Sequence, residues 1–527
     1  MAESVHPGQR KRHPEQRARR RRLILTLVIG AFVAGGIGLL AVSDLDDDGD
    51  VRAADSDVDD PSPPDGADDD GASDTTETTE TTAALRTDLV VDPASFATPW
   101  GSTVEGLLTF RGNPTRSYHG RGPVPDAPAV AWSFPEAAMC GPSSEGGETR
   151  TWCGNGWTGQ PAVFERDGRT WVVFGAYDHN VHFVDADTGT RIIPDFETGD
   201  IVKGSPTIDP DGYPIVYIGS RDNYLRAIAF DRPQPTELWR LDAEEVGPTL
   251  WNNDWDGSPL IVNDHLLEGG ENSRFHIVKL NRGYGPDGLV TMNPQLVFHA
   301  AGWDEELLSS IGDRTVSIEG SVAIAGDTAW FANSGGLLQG WDVSFLRTGQ
   351  GEPTRTFRYW LGDDTDASIV ADDEGFVYAG VEYERGTARA SEVGQLVKLD
   401  PRVPDNPIAW SVHDEGSGTW STPAVVDDLV IWPVRSGTVY GLDRATGAVR
   451  WKVELPAPLM GSPVVVDDVW IQGDCDGTLR GFDVSDTTIQ PPSLWAVTLG
   501  GCIEATPAVW DGRIFVGTRS GLEYALE

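Results

Sequence analysis

The sequence predicts an all-β fold. It is an eight-bladed β-propeller whose last blade is closed by an N-terminal strand, preceded by one transmembrane helix and a disordered acidic linker. Three observations carry that expectation. A short signature recurs eight times, at Gly159-Gln160-Pro161, Gly204-Ser205-Pro206, Gly257-Ser258-Pro259, Gly320-Ser321-Val322, Ala367-Ser368-Ile369, Ser421-Thr422-Pro423, Gly461-Ser462-Pro463 and Ala505-Thr506-Pro507. Its spacing of 40 to 63 residues suits a four-stranded repeat carrying loop insertions. The eighth unit ends after three strands, and a strand of the same style, Val130-Ala131-Trp132-Ser133-Phe134, stands upstream of the first unit.

Residues 1–22 form a basic tail with Arg10, Lys11, Arg12, Arg17 and the run Arg19 to Arg22. Leu23 to Val42 follows as twenty residues without a charge, enough to cross a hydrocarbon core of roughly 30 Å. The flanking arginines predict a single-pass anchor at 23–42, with the N-terminus in the cytoplasm and the rest on the extracytoplasmic side of the cell membrane. Ala41-Val42-Ser43 is a weak cleavage site, and the apolar run is longer than that of an ordinary signal peptide.

Residues 43–100 are rich in Asp, Thr and Pro, with little apolar surface to offset the entropy of ordering, and read as a disordered spacer. Within it Asp44, Asp46, Asp48, Gly49 and Asp55 have calcium-loop spacing, but the usual final Glu and a following helix are missing. The stretch reads as an acidic tether.

Residues 101–527 hold the ring. The seventh unit shows the course of each repeat: an apolar strand, the turn Asp467-Asp468, a strand to Gly473, a strand Leu479 to Asp483, and a fourth centred on Trp495. The fourth-strand aromatic recurs at Trp239, Phe298, Trp360, Trp410 and Trp451. Short alternating runs bounded by Gly and Asp turns are the mark of antiparallel strands.

Composition agrees, with 61 Gly, 36 Pro and 19 Trp. A balance of 40 basic against 82 acidic residues, net −42, excludes nucleic acid as the main partner, because phosphate contacts need basic patches. No G-x-S-x-G elbow, H-E-x-x-H helix or Walker loop occurs, so hydrolase, zincin and NTPase readings have no foothold. His179 and His182 fall on opposite faces of a strand and read as a surface turn rather than a metal pair.

Asp443, Thr446, Gly447 and Trp451 resemble the tryptophan-docking repeat of the pyrroloquinoline-quinone-like (PQQ-like) propellers. The leader Phe110-Arg111-Gly112-Asn113-Pro114 is similar to the segment preceding the ring in that family, and the resemblance spans about residues 108–527. It implies one of two branches: quinoprotein alcohol dehydrogenases with quinone and calcium in the funnel, or non-catalytic scaffolds similar to the outer-membrane assembly lipoprotein. This sequence is closer in style to the second. The four cysteines are all separated, where many of the dehydrogenases have a vicinal pair, and no C-x-x-C-H haem site occurs. The repeat holds blades together and is itself no evidence of quinone chemistry.

In such a ring the loops entering the innermost strands share a face with the turns between second and third strands. Cys140, Cys153, Cys475 and Cys502 then fall on one face. Four cysteines allow three connectivities, of which adjacency favours 140 with 153 and 475 with 502. The residue before each signature points to the funnel mouth. Four of these, Asp256, Glu319, Asp366 and Glu504, are acids whose convergence would call for a cation, with calcium the candidate metal. The dehydrogenases use an acid–amide–acid set there, and Asn252, Asn253 and Asp254 lie beside Asp256. The plainer reading of these acids is ordinary solvated carboxylates. Trp157, Trp251, Trp255, Trp303 and Trp420 on the same loops form the candidate ligand face, for a peptide, sugar or basic ligand, unless they cap the core between blades.

The leading expectation is a membrane-tethered extracytoplasmic propeller that binds a protein or small-molecule partner, with no catalytic residue and no resident cofactor. Its alternatives are a PQQ- and calcium-dependent membrane-bound alcohol or sugar dehydrogenase, and an extracellular ligand sensor, which the short cytoplasmic tail disfavours.

Overall fold

The computed structural model describes residues 88–527 apart from 146, 157, 158 and 415. The basic tail, the expected anchor at 23–42, the calcium-loop spacing and most of the expected linker lie outside the described residues. Among the described residues, no helix is long and apolar enough to cross a membrane.

Eight antiparallel sheets follow one another along the chain, each with the strand order of a propeller blade. Blade 1 contains Ala162–Arg166, Arg169–Gly175 and Asn180–Asp185, and blades 2 to 7 repeat the pattern with four strands each. Their first turns are tight. Asn263 and Asp264 have φ 49 and 61, and Asp467 and Asp468 have φ 48 and 61. Two consecutive left-handed residues are what a two-residue hairpin of matching twist requires, and Asn and Asp tolerate it best.

The eighth blade is built from both ends of the ring. Ala508–Trp510, Arg513–Gly517 and Glu523–Leu526 supply three strands, and Val130–Phe134 pairs antiparallel with the last of them. The closing strand covers the edge of Glu523–Leu526, which would otherwise be left unpaired. The seam is apolar: Ala508, Trp510, Phe515 and Ala525 of blade 8 pack with Val163, Val172, Phe174 and Val184 of blade 1.

The recurring signature has a structural reason. Its middle residue donates its backbone N–H to the hydroxyl of the matching residue one blade on: Ser258 to Ser321 (2.9 Å), Ser321 to Ser368 (2.8 Å), Ser368 to Thr422 (3.0 Å), Thr422 to Ser462 (3.0 Å) and Ser462 to Thr506 (3.3 Å). Gln160 donates in the same way to Ser205 at 2.8 Å. A buried N–H left without a partner would cost about 1–3 kcal/mol, so Ser or Thr is retained at this position. The residue before it is small because the next blade is in the way. A Cβ on Gly204 would stand 2.7 Å from the carbonyl oxygen of Gly257.

The fourth-strand aromatic lies opposite the middle of the third strand, with a β-bulge next to it, as in Trp451 opposite Gly441 and Trp495 opposite Gly481. In blade 4 that register belongs to Phe357, opposite Gly340, and the expected Trp360 sits at the strand end instead. Trp410 docks on the next blade by donating to the carbonyl of Arg444 at 3.0 Å, and its ring covers Gly447. The Asp443 carboxylate ties that turn by accepting from the Thr446 N–H and hydroxyl at 2.8 and 2.7 Å.

The leader is a plug. Residues 106–119 are buried, and they touch the inner edge of blade after blade. Gly106–Leu107 pairs with blade 1, Leu108 accepts from Ile208 N, Pro114 from Ile324 N and Thr115 from Ala371 N, while Gly120–Arg121 runs parallel to blade 8. Arg116 reaches the carbonyls of Ser258 and Val322, and Arg111 those of Thr422 and Pro423. Burial lowers both guanidinium groups to about 9. Packing on the ring begins before the expected boundary at 101: Val91 is buried and bridges Gly326, and Trp100 packs between blades.

Candidate functional site: the acid-rich mouth of the funnel

Ligand atoms of three or more acids, histidines or cysteines come within 4.8 Å of one another at two places among the described residues. One set is Asp254, Asp256 and Glu271 in blade 3, and the other is Asp364, Asp366 and Glu382 in blade 5. All six residues are buried. The expected quartet of Asp256, Glu319, Asp366 and Glu504 is not one of these sets: Asp256 and Asp366 fall in different ones, and Glu319 and Glu504 in neither.

The two sets have the same construction. An Asp-x-Asp pair leads into the inner strand, and a Glu follows the second strand across the turn. Glu271 N–H donates to the carbonyl of Asp254, and Glu382 N–H donates to that of Asp364. Each Glu is thereby held beside its pair of aspartates.

In blade 3 a cation is built in. Lys203, from the entrance loop of blade 2, puts Nζ 2.8 Å from Asp254, 2.6 Å from Asp256 and 3.1 Å from Glu271. Burial works against its charge, but the three carboxylates prevail and hold the ammonium well above the usual lysine value. Burial pushes Asp256 well up and Asp254 up, while Lys203 and Arg221 keep Glu271 below the usual range. Asn252 closes the set by donating to Glu271 Oε2 at 2.6 Å.

In blade 5 the position corresponding to Lys203 is Glu319. Gly204 abuts the Asp256 carbonyl and Gly320 abuts the Asp366 carbonyl in the same way, so the preceding residues, Lys203 and Glu319, hold matching places in their repeats. The Glu319 carboxylate also acts on the blade-3 set, where its charge helps to hold Asp256 up. Ser317 and Ser334 donate to Glu319, and Arg385 lies 3.7 Å from Asp364 at the edge of the set. The fourth predicted acid, Glu504, pairs with Arg519 at 3.4 Å, and burial raises it. Small oxygen-rich sets of buried carboxylates are suited to calcium.

Residues 392–490 match the family model described as outer membrane protein assembly factor BamB. A quinohemoprotein alcohol dehydrogenase from Comamonas testosteroni is similar over 80% of this chain and 80% of its own, at 13% identity and a TM-score of 0.52. Residues 392–490 carry PQQ-like repeats. BamB from Moraxella catarrhalis is similar over 76% of this chain and all of its own, at 14% identity and a TM-score of 0.40. Sqt1 from Saccharomyces cerevisiae is similar over 67% of this chain and 92% of its own, at 12% identity and a TM-score of 0.48. No curated protein matches the chain. At 13% identity the likeness to the dehydrogenase shows the propeller fold alone.

On the same face of the ring both cysteine pairs are joined as adjacency favoured, Cys140 to Cys153 and Cys475 to Cys502, the second spanning blades 7 and 8. The tryptophans divide. Trp255 is fully buried, donates to the carbonyl of Asn223 at 2.9 Å and belongs to the core between blades 2 and 3, so it is no ligand platform. Trp251, Trp303 and Trp420 are half-buried, with Arg274 over Trp303 at 5.4 Å and Arg435 over Trp420 at 4.3 Å. Trp157 lies outside the described residues.

His182 is not at the surface. It is fully buried, between Asp178 at 3.2 Å and Asp195 at 3.1 Å, with Phe134 and Phe174 against its ring. His179 makes a separate contact with the carbonyl of Pro142. Sequence reasoning missed Glu271, Lys203, Asp364 and Glu382 as site residues. The legible signal was the Asp-x-Asp-small-Ser pattern shared by units three and five.

Proposed function

We propose that the chain is a non-catalytic binding propeller, held on the extracytoplasmic side of the membrane by its N-terminal anchor, with a calcium ion in the blade-5 acids organising its partner-binding face. One observation carries the reading: the acid set that holds the Lys203 ammonium in blade 3 is repeated in blade 5, where the position matching Lys203 is Glu319. Residues Asp364, Asp366 and Glu382 would hold the ion, which supplies charge neutralisation and fixed loop geometry. The two disulfides on the same face support an oxidising compartment.

The test is the thermal midpoint of the full chain in detergent, with calcium or with sodium chloride of equal ionic strength. A ligand bound only by the folded state stabilises by about 2.7 kcal/mol at a hundredfold excess over Kd. Millimolar calcium should raise the midpoint of the wild type, and Asp366→Asn or Glu382→Gln should remove most of the gain. Acids of the tether are common to all three proteins and cancel in the comparison. Equal gains in wild type and variants, or equal gains from sodium, overturn the calcium site. Dye-linked alcohol oxidation after reconstitution with the quinone and calcium overturns the non-catalytic reading.

A further inference from the structure

We infer that the face opposite the funnel mouth carries a second, independent site between blades 2 and 3, a cage for an arginine side chain of a partner peptide. The cavity measures about 480 Å³ and is lined by Asp211, Tyr213, Asp264, Arg282 and Tyr284. Its walls are the first turn of blade 2, the first turn of blade 3 and the hairpin Arg282–Tyr284 with Val290–Met292, inserted between the last two strands of blade 3. These turns lie at the end of the blades away from the acid sets.

Arg282 is the strut of the site rather than its ligand-binding group. Its side chain is 3% exposed, and it donates to Asp209 at 2.6 Å, Asp211 at 2.6 Å and Asp264 at 2.9 Å. One guanidinium therefore fixes three carboxylates. Asp209 is buried and also accepts from Tyr217 at 2.8 Å, while Asp211 and Asp264 are 54% and 36% exposed at the rim. The balance of charge at the opening is negative.

The aromatic wall is equally fixed. Tyr213 and Tyr284 stack with centroids 5.4 Å apart and planes 26° apart, and Arg282 lies 5.0 Å from the Tyr213 centroid. Tyr284 is 59% exposed, one of the largest exposed hydrophobic side chains of the ring. Asp209, Asp211 and Asp264 are in neither of the two metal-competent sets among the described residues. An exposed tyrosine face beside carboxylates takes a flat organic cation, and guanidinium both stacks on the ring and pairs with carboxylate in a fork. Its volume admits one such side chain with adjoining peptide.

The probe is the capped tripeptide acetyl-Gly-Arg-Gly-amide, titrated into the full chain in detergent at physiological ionic strength. Tyr284→Ala and Asp211→Asn should each weaken binding about three- to tenfold, without moving the thermal midpoint. Asp405→Asn removes one exposed negative charge elsewhere and should leave binding unchanged, as should Asp366→Asn, which separates this site from the calcium site. Equal affinity in all five proteins means attraction to the acidic surface alone and overturns the proposal. Binding of neutral glucose in place of the tripeptide, lost in Tyr284→Ala, overturns it in favour of a sugar site.

Discussion

The indole N–H of Trp132 donates to the carbonyl of Ala186 at 2.9 Å, and the ring covers Gly189, where an added Cβ would stand 2.7 Å from Cδ2. The strand that closes blade 8 is therefore docked on blade 1 by the same device that docks Trp410 on blade 6. Asp185 ties the receiving turn by accepting from the Thr188 N–H and hydroxyl at 3.1 Å. Trp132→Ala should lower unfolding stability by about 3–5 kcal/mol, read from denaturant midpoints. Deleting residues 128–134 should leave an aggregating product. A soluble deletion protein with an unchanged midpoint would overturn closure by this strand.

His182 makes the same seam depend on pH. Burial opposes its charge, but Asp178 and Asp195 raise its pKa above the usual 6.5, and His182 and Arg191 in turn lower that of Asp195 below 3.8. The histidine contribution is complete below pH 6.5 and fades as pH rises through the folded value. The Asp195 contribution is present above pH 3.8 and fades as pH falls through its folded value. His182→Gln should therefore cost most between about pH 4 and 6.5, by roughly 1–3 kcal/mol, and flatten the profile of midpoint against pH.

Glu523 occupies a core position. It is fully buried, and burial alone pushes its carboxyl well up. The matching residues of blades 6 and 7 are Val439 and Leu479, both apolar and buried. An acid whose folded pKa is raised loses stability as pH rises above its unfolded value near 4.5. Glu523→Leu should raise the midpoint at pH 8 by the equivalent of about 1–3 kcal/mol, and by less at pH 4. No difference between the two pH values would show that this acid is not desolvated.

Lys203→Met removes the ammonium from three buried carboxylates. Stripping one partner from a buried charge set typically costs about 3–5 kcal/mol, so the variant should be markedly less stable in chelator. Millimolar calcium should restore part of the loss, because blade 3 then lacks a lysine at this position, as blade 5 does. If calcium stabilises this variant no more than the wild type, the two acid sets are not equivalent.

The lining of the funnel mouth was half legible. Asp256 and Asp366 lie where the residue before each signature was expected, because the signature is locked by hydrogen bonds that run from blade to blade. Their partners were not legible. Glu271 and Glu382 sit 15 and 16 residues downstream of Asp256 and Asp366, across a turn whose length only pairing fixes. In the sequence Trp255 reads like Trp251, which is half-buried, and only packing turns its ring into the core.

By itself the sequence determined the eight-fold repeat and the closing strand, and favoured the disulfide pairing that the structure shows. Each rests on short-range periodicity or on the position of a residue within a unit, and a repeat fixes both wherever it occurs. Tertiary structure alone decided which charges meet. Lys203 answers Asp256 from another blade, Arg282 ties Asp209 to Asp264, and His182 rests on a strand from far upstream. Electrostatic energy depends on distances of a few ångströms in a low-dielectric interior, and ring closure sets those distances between residues dozens to hundreds of positions apart.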